Sequence, residues 1–339
     1  MRIVPPSQLR VNARLAGDKS LSHRALIFAA LAKGESRITN LSKGADVEST
    51  RKCLEALGLV CRSESDDLIV EGGLKPSTAT LDCGNSGTSA RLLMGLLSGI
   101  EGMDVILCGD ASLSLRPMAR VVEPLRQMGA ELHYLGTEGC LPIRVIGRAL
   151  KGQEHRLKVA SAQVKSALLF AGLNAAGTTE VHEPVRSRDH TESALRCLGA
   201  EIEHLRGTGL RMKPGACWQG FELIIAGDVS SAAALIAAAT LHQDGEAILP
   251  DILLNPTRLG FFDAMKRMGA DIEFSNRRVE MGEPVGDITC RSAKLKAISL
   301  AAEEVPSAVD EIPLLALAAT QADGLSRFDG LAELRVKES

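Results

Sequence analysis

The stretch PLRQMGAELHYL, Pro124 to Leu135, reads as the end of a helix, a glycine and then an alternating strand. A glycine there suits the left-handed backbone turn in which helices often terminate. The same phrase occurs four times, as CLEALGLVCRS, PLRQMGAELHYL, ALRCLGAEIEHL and AMKRMGADIEF, with glycines at 58, 129, 199 and 269. A constant spacing of 70 or 71 residues marks a chain built from repeats.

A second phrase recurs in phase with the first. It is a polar turn rich in Ser, Gly or Thr, an Ala/Leu-rich helix, a Gly and a strand. Its five copies begin at Lys19 (KSLSHRALIFAALAKGESRITNL), Gly84 (GNSGTSARLLMGLLSGIEG), Ser161 (SAQVKSALLFAGLNAAG), Gly227 (GDVSSAAALIAAATLHQDG) and Val305 (VPSAVDEIPLLALAATQADG). These helices are apolar nearly all round, as expected of helices enclosed by sheets on several sides. Each unit thus holds one buried helix, one amphipathic helix and several strands, giving an α/β fold of repeated units. With five copies of the polar-turn phrase and four of the Leu/Met-Gly phrase, AELRVKES after Leu331 reads as the opening of a fifth copy, and the sequence is expected to stop inside it.

The 339 residues are 45% hydrophobic and 24% charged, the composition of a globular chain long enough for two domains. Aromatics make up only 3%, so the core must come from Leu, Ile, Val, Ala and Met. A net charge of -3 lacks the basic excess of a nucleic-acid protein. The start MRIVPPSQLR has no apolar signal region, and no run reaches membrane-spanning length. Cysteines 53, 61, 83, 108, 140, 197, 217 and 290 form no CxxC pair. They are expected to be reduced and mostly buried in a cytoplasmic protein, and neither they nor the seven histidines suggest a metal site.

The first turn of a helix offers unpaired N–H groups and the positive end of the helix dipole, which together favour anions. In GDKSLSHRAL, Ser20 and Arg24 lie four apart on one face, with Lys19 just ahead. GNSGTSAR adds Asn85 and Gly87, and GDASLSLRP places Arg116 in a loop after a strand. SAQVKS adds Ser161 and Gln163, and SRDHTE adds Arg188. Each alone is an ordinary capped helix start. Together, in an acidic protein, they suit a small polyanion carrying phosphate or carboxylate. Asp18 and Ala13 stand where a Walker loop needs glycines, so this is not a nucleotide P-loop.

GDKSLSHRAL, GNSGTSARL, GDASLSLRPM, ASAQVKSALLFAGL, RDHTESALRCLGA, NPTRLG and LRVKES together resemble, in order, the signature segments of the 5-enolpyruvylshikimate-3-phosphate synthase family. SAQVKS and SRDHTE are closer to its bacterial class II members. The resemblance implies a two-domain inside-out α/β barrel of βαβαββ units. One complete globe would span residues 17–226, and residues 1–16 plus 227–339 would form part of the second, incomplete at the C-terminus. It also implies a cytoplasmic monomer without cofactor or metal, which moves the enolpyruvyl group of phosphoenolpyruvate to the 5-hydroxyl of shikimate 3-phosphate and releases phosphate.

By motif, Lys19, Ser20, Arg24, Ser161, Gln163 and Arg188 would contact shikimate 3-phosphate. Lys19 and Gln163 would also face phosphoenolpyruvate, alongside Asn85, Gly87 and Arg116. Asp310 would be the base toward the 5-hydroxyl, with Lys337 and Glu338 the next cation and acid. Family arginines and a lysine that clamp phosphoenolpyruvate are expected beyond Ser339, so this chain as given is expected to turn over poorly. The family is inhibited by glyphosate at the phosphoenolpyruvate site, and tolerant class II members carry alanine where this chain has Gly87. Competing readings are a UDP-N-acetylglucosamine enolpyruvyl transferase, whose acceptor site lacks the KSLSHR and RDHTE arrangement, and a binding-only scaffold. An RNA 3′-phosphate cyclase is disfavoured by the charge and the missing aromatic platforms.

Overall fold

The computed structural model describes residues 6–336. The chain divides into two units, one of residues up to Asp18 together with those from Ala226 onward, the other Lys19–Ile225.

The first unit opens with β1 (Leu9–Asn12). The Lys19–Ile225 unit then follows as three repeats. The first has α1 (Lys19–Leu31), β2 (Glu35–Thr39), α2 (Ala45–Ala56), β3 (Val60–Glu64) and β4 (Asp67–Glu71). The second has β5 (Thr78–Asp82), α3 (Gly87–Ser98), β6 (Asp104–Cys108), α4 (Ala119–Gln127), β7 (Glu131–Tyr134) and β8 (Ile143–Ile146). The third has β9 (Glu154–Arg156), α5 (Ala162–Gly172), β10 (Thr179–His182), α6 (His190–Cys197), β11 (Ile202–His204) and β12 (Gly209–Met212), before β13 (Glu222–Ile224).

All three repeats make the same four-stranded sheet. In the second, β5 pairs in parallel with β6, and β8 lies antiparallel between β6 and β7. The third arranges β9, β10, β12 and β11 in the same way. The first repeat lacks a leading strand of its own, and β13 supplies it from the far end of the unit by pairing in parallel with β2. A parallel pair needs a crossover, and α3 and α5 provide it in the second and third repeats. The four glycines of the repeated phrase all adopt left-handed backbone, with φ of +91°, +100°, +93° and +99° at 58, 129, 199 and 269.

Helices α1, α3 and α5 form the interior of this unit. Leu26, Ile27, Leu92, Leu93, Leu168 and Leu169 are all fully buried, each worth about 1.5–3 kcal/mol of apolar transfer. The ring of Phe28 on α1 meets Phe170 on α5 at 5.6 Å and Trp218 edge-on at 6.0 Å. Between α3 and α5 the backbones approach so closely that a Cβ on Gly95 would lie 2.2 Å from the Ala167 carbonyl oxygen. Only glycine fits there.

The other unit repeats the pattern with α7 (Val229–Leu241), β14 (Gly245–Leu253), α8 (Gly260–Arg267), β15 (Asp271–Glu280) and β16 (Glu283–Arg291). Its leading strand is β1, parallel to β14. The next repeat comprises β17 (Ser299–Leu300), α9 (Val305–Ala308), α10 (Ile312–Thr320) and β18 (Arg327–Phe328), with β17 and β18 paired in parallel. Two expectations need correction. Helix α10 is not enclosed on all sides; only Ile312, Leu315 and Ala318 are buried, and the helix packs on α7 and α8. Of the cysteines, only 53, 83 and 290 are buried, while Cys197 and Cys217 are exposed because they lie at the end of an amphipathic helix and in a loop.

Candidate active site

Hydrogen bonds tie the starts of α1, α3 and α5 together. Ser86 caps α3 by accepting from the Ser89 amide, and Ser161 caps α5 by accepting from the Val164 amide, each such cap being worth about 1 kcal/mol. Between α3 and α5, Arg91 Nη1 donates to Gln163 Oε1 at 2.8 Å and Gln163 Nε2 donates to Thr88 Oγ1 at 3.0 Å. Between α1, α5 and α6, the buried guanidinium of Arg24 donates to Ser166 Oγ at 2.8 Å and Thr191 Oγ1 at 2.7 Å, and also to the Ser20 carbonyl at 3.0 Å. Three helix N-termini with their cations are therefore held as one polar assembly within the unit.

Lys19 is the first residue of α1, with a half-exposed side chain 3.1 Å from Asp46. Across the second repeat, Arg116 Nη2 donates to Asn85 Oδ1 at 2.5 Å, and Asn85 Nδ2 donates to Asp110 Oδ2 at 2.7 Å. These bonds join the GNSG turn to the GDASLSLRP loop. The Asp110 carboxylate is held below the usual range by the Leu113 amide first and Asn85 second. A Cβ on Gly87 would lie 2.6 Å from Arg91 Nη1 and 3.7 Å from Arg116 Nη1, so the missing side chain leaves room for two guanidinium groups. Arg188 lies in the turn just before α6.

Behind the α1 start, a chain of hydroxyls runs from His23. Its Nδ1 is 2.7 Å from Thr50 Oγ1, which is 2.6 Å from Ser89 Oγ, itself 2.7 Å from Ser86 Oγ. Burial, and then the charges of Arg24 and Lys19, push the His23 pKa down to about 3. The ring is neutral in the folded state, whereas an unfolded histidine gains its proton near pH 6.5. Stability is therefore fully present above pH 6.5 and falls by about 1.4 kcal/mol per unit as pH drops toward the folded value. Between pH 7 and 5 the wild type should lose about 2 kcal/mol more than His23→Asn in urea unfolding. Parallel pH dependences for the two proteins would contradict this.

In the unit that holds residues 226 onward, the α7 start and the turn before α10 surround Arg258. Arg258 Nη1 donates to Asp18 Oδ2 at 3.2 Å and its Nη2 to Ser230 Oγ at 2.7 Å, while Ser230 also donates to Glu311 Oε1. Burial works against the guanidinium charge, but Asp18, Glu311, Asp228 and Asp310 outweigh it and raise its pKa. Asp310 thus lies within electrostatic reach of a fully buried cation, two residues before α10.

The structure accordingly brings Lys19, Ser20, Arg24, Asn85, Gly87, Arg116, Ser161 and Gln163 to the tied helix starts of one unit, with Arg188 at the start of α6, and places Asp310 in the other. Lys337 and Glu338 lie outside the described residues. The sequence reading missed Arg91, Lys165, Ser166 and Thr191, all buried beside the expected residues. A signal for the first two existed, since arginine and lysine are almost never fully buried unless paired and each directly precedes or lies within the apolar run of its helix, Arg91 as the fifth residue of α3 and Lys165 as the fourth of α5. Among the described residues, no group of three or more His, Cys, Asp or Glu could hold a metal ion. No helix among them is long and apolar enough to cross a membrane.

Residues 3–339 match the family profile described as EPSP synthase (3-phosphoshikimate 1-carboxyvinyltransferase). A protein of that enzyme name from Synechococcus sp. (strain JA-3-3Ab) is 45% identical over 345 residues, spanning 100% of this chain and 78% of the relative. Another, from Thermus thermophilus, is also 45% identical, over 100% of this chain and 80% of the relative. The solved EPSP synthase of Acinetobacter baumannii superposes with a TM-score of 0.90 at 39% identity, covering 99% of this chain and 77% of that one. Repeat topology, anion-suited helix starts and these matches lead to one assignment: the chain belongs to the EPSP synthase family.

Proposed function

We propose that this chain transfers the enolpyruvyl group of phosphoenolpyruvate to the 5-hydroxyl of shikimate 3-phosphate, with the polar helix starts as its anion sites. Lys19, Ser20, Arg24, Ser161, Gln163 and Arg188 bind shikimate 3-phosphate. Lys19, Gln163, Asn85, Gly87 and Arg116 face phosphoenolpyruvate, and Arg91 joins them through its bond to Gln163. Asp310 takes the proton of the 5-hydroxyl as its oxygen attacks C2 of phosphoenolpyruvate and C3 gains a proton. The tetrahedral adduct then loses phosphate as the new methyl group gives a proton back. Lys337 and Glu338 are assigned as cation and acid by motif alone. Fixed cations around such an adduct stabilise charge as it develops. We also propose a cytoplasmic monomer; the eight free cysteines suit a reducing compartment.

The observation that carries this reading is the set of three tied helix starts with Lys19, Arg24, Arg91 and Arg116 among them, in a chain of net charge -3. Calorimetric titration tests it. Shikimate 3-phosphate should bind saturably at one site, and UDP-N-acetylglucosamine should give no heat of binding. The reverse pattern, or no binding by either, would overturn the reading.

Gly87→Ala probes the donor side. The added methyl must displace Arg91 Nη1 or intrude on the ligand, at about 1–3 kcal/mol. Glyphosate inhibition should weaken roughly ten- to a hundredfold, with a smaller rise in the KM for phosphoenolpyruvate. An unchanged inhibition constant would show that this turn does not line the donor pocket.

A further inference from the structure

We propose that Lys165 is a positioning residue for the acceptor site, clamping the turn before α6 so that Arg24 and Arg188 are held in place. The inference rests on the functional reading above. Lys165 Nζ lies 2.8 Å from Glu183 Oε2, 2.8 Å from Glu192 Oε1 and 3.4 Å from the Ser187 carbonyl, with side-chain exposures of 2%, 1% and 2% for Lys165, Glu183 and Glu192. Glu183 Oε2 also accepts from the Ser187 amide at 3.3 Å. Both polar groups of the Ser187 backbone, one residue before Arg188, are therefore held by this ion cluster. Its other flank reaches Arg24. Ser166 follows Lys165 and Thr191 precedes Glu192, and these two hydroxyls, 2.7 Å apart, are the acceptors for the Arg24 guanidinium.

Two further observations separate this cluster from ordinary stabilisation. Each buried helix of the unit carries a buried cation near its start, Arg24 on α1, Arg91 on α3 and Lys165 on α5. The first two donate to Ser20 and Gln163, residues of the proposed site, whereas the third holds the backbone beside it. The cluster is also costly. Two carboxylates share one ammonium, and Glu183 Oε1, Glu192 Oε2 and Ser187 Oγ have no hydrogen-bond partner among the described residues. Apolar residues of similar volume often stabilise a buried site as well as an ion cluster does, so its use here points to orientation. Displacements near 1 Å are enough to impair a binding site.

The test compares the wild-type chain, Lys165→Met and the triple variant Lys165→Met/Glu183→Gln/Glu192→Gln, with Leu54→Ala as a control destabilised at a distance. Shikimate 3-phosphate affinity is measured by calorimetry and the Arg24 Nε–H resonance by NMR. Lys165→Met should bind at least tenfold more weakly, with the Arg24 resonance shifted or broadened, while Leu54→Ala keeps both. The triple variant leaves no unpaired buried charge, so it should fold even if the single variant does not, and it should keep the binding defect. Wild-type affinity and an unmoved resonance in a folded Lys165 variant would overturn the proposal, as would failure of both variants to fold, which would make the cluster a requirement of the fold. Should the wild type itself not bind, the functional reading fails and the Arg24 resonance alone decides the positioning claim.

Discussion

Asp310→Asn is expected to lower kcat by about two to four orders of magnitude, the usual contribution of a positioned general base. Asparagine keeps the shape of the side chain but cannot take the proton of the 5-hydroxyl. The buried cation Arg258 lies within electrostatic reach of this proposed base. Asp310 shares its surroundings with the carboxylates of Asp18, Asp228 and Glu311, all of them acting on the charge of Arg258. Because Asp310 is only part-buried, the substitution should leave the melting temperature nearly unchanged and the KM for shikimate 3-phosphate within about threefold. Steady-state kinetics at saturating substrates check this, and retention of more than about a tenth of kcat would place the base elsewhere.

Lys19→Ala should cost about 3 kcal/mol in the transition state, roughly a hundredfold in kcat/KM. The fold should be indifferent. The Lys19–Asp46 pair at 3.1 Å has a half-exposed lysine, and such pairs are worth at most about 1 kcal/mol. Lys19 stands at the positive end of α1, beside Ser20, whose carbonyl accepts from Arg24. Removing it deletes a cation near both proposed substrates. Turnover within about threefold of the parent, with an unchanged melting temperature, would show that Lys19 faces solvent rather than developing charge.

The repeat was legible because one physical requirement recurs. A helix that stops and turns into a strand needs left-handed backbone, and glycine supplies it at 58, 129, 199 and 269. The buried helices α1, α3 and α5 were legible from their apolar surface, whereas α7 and α10 share that composition but are covered only in part. The closure of the first sheet by β13 was not legible, since Glu222–Ile224 is too short for any period to show and its partner lies 185 residues away in sequence. At the site, residues at the helix starts could be read from their types. Arg91 and Lys165 could not be assigned, because each is defined by what it meets across the helix interface: Gln163 for Arg91, and Glu183 and Glu192 for Lys165. Thr191 and Ser166 are commonplace residues until Arg24 is seen between them. Arg258, in the NPTRLG motif, gained a role only when Asp18 and Ser230 were found at its two ends.

The central claim is that the acceptor is shikimate 3-phosphate and that phosphoenolpyruvate gives up its enolpyruvyl group to it. Phosphate release, followed together with the mass of the product, tests this most directly. Release should require both substrates, and one product molecule carrying an enolpyruvyl group on the 5-oxygen should appear per phosphate. Phosphate released without shikimate 3-phosphate, or an equal rate with UDP-N-acetylglucosamine in its place, would contradict the account.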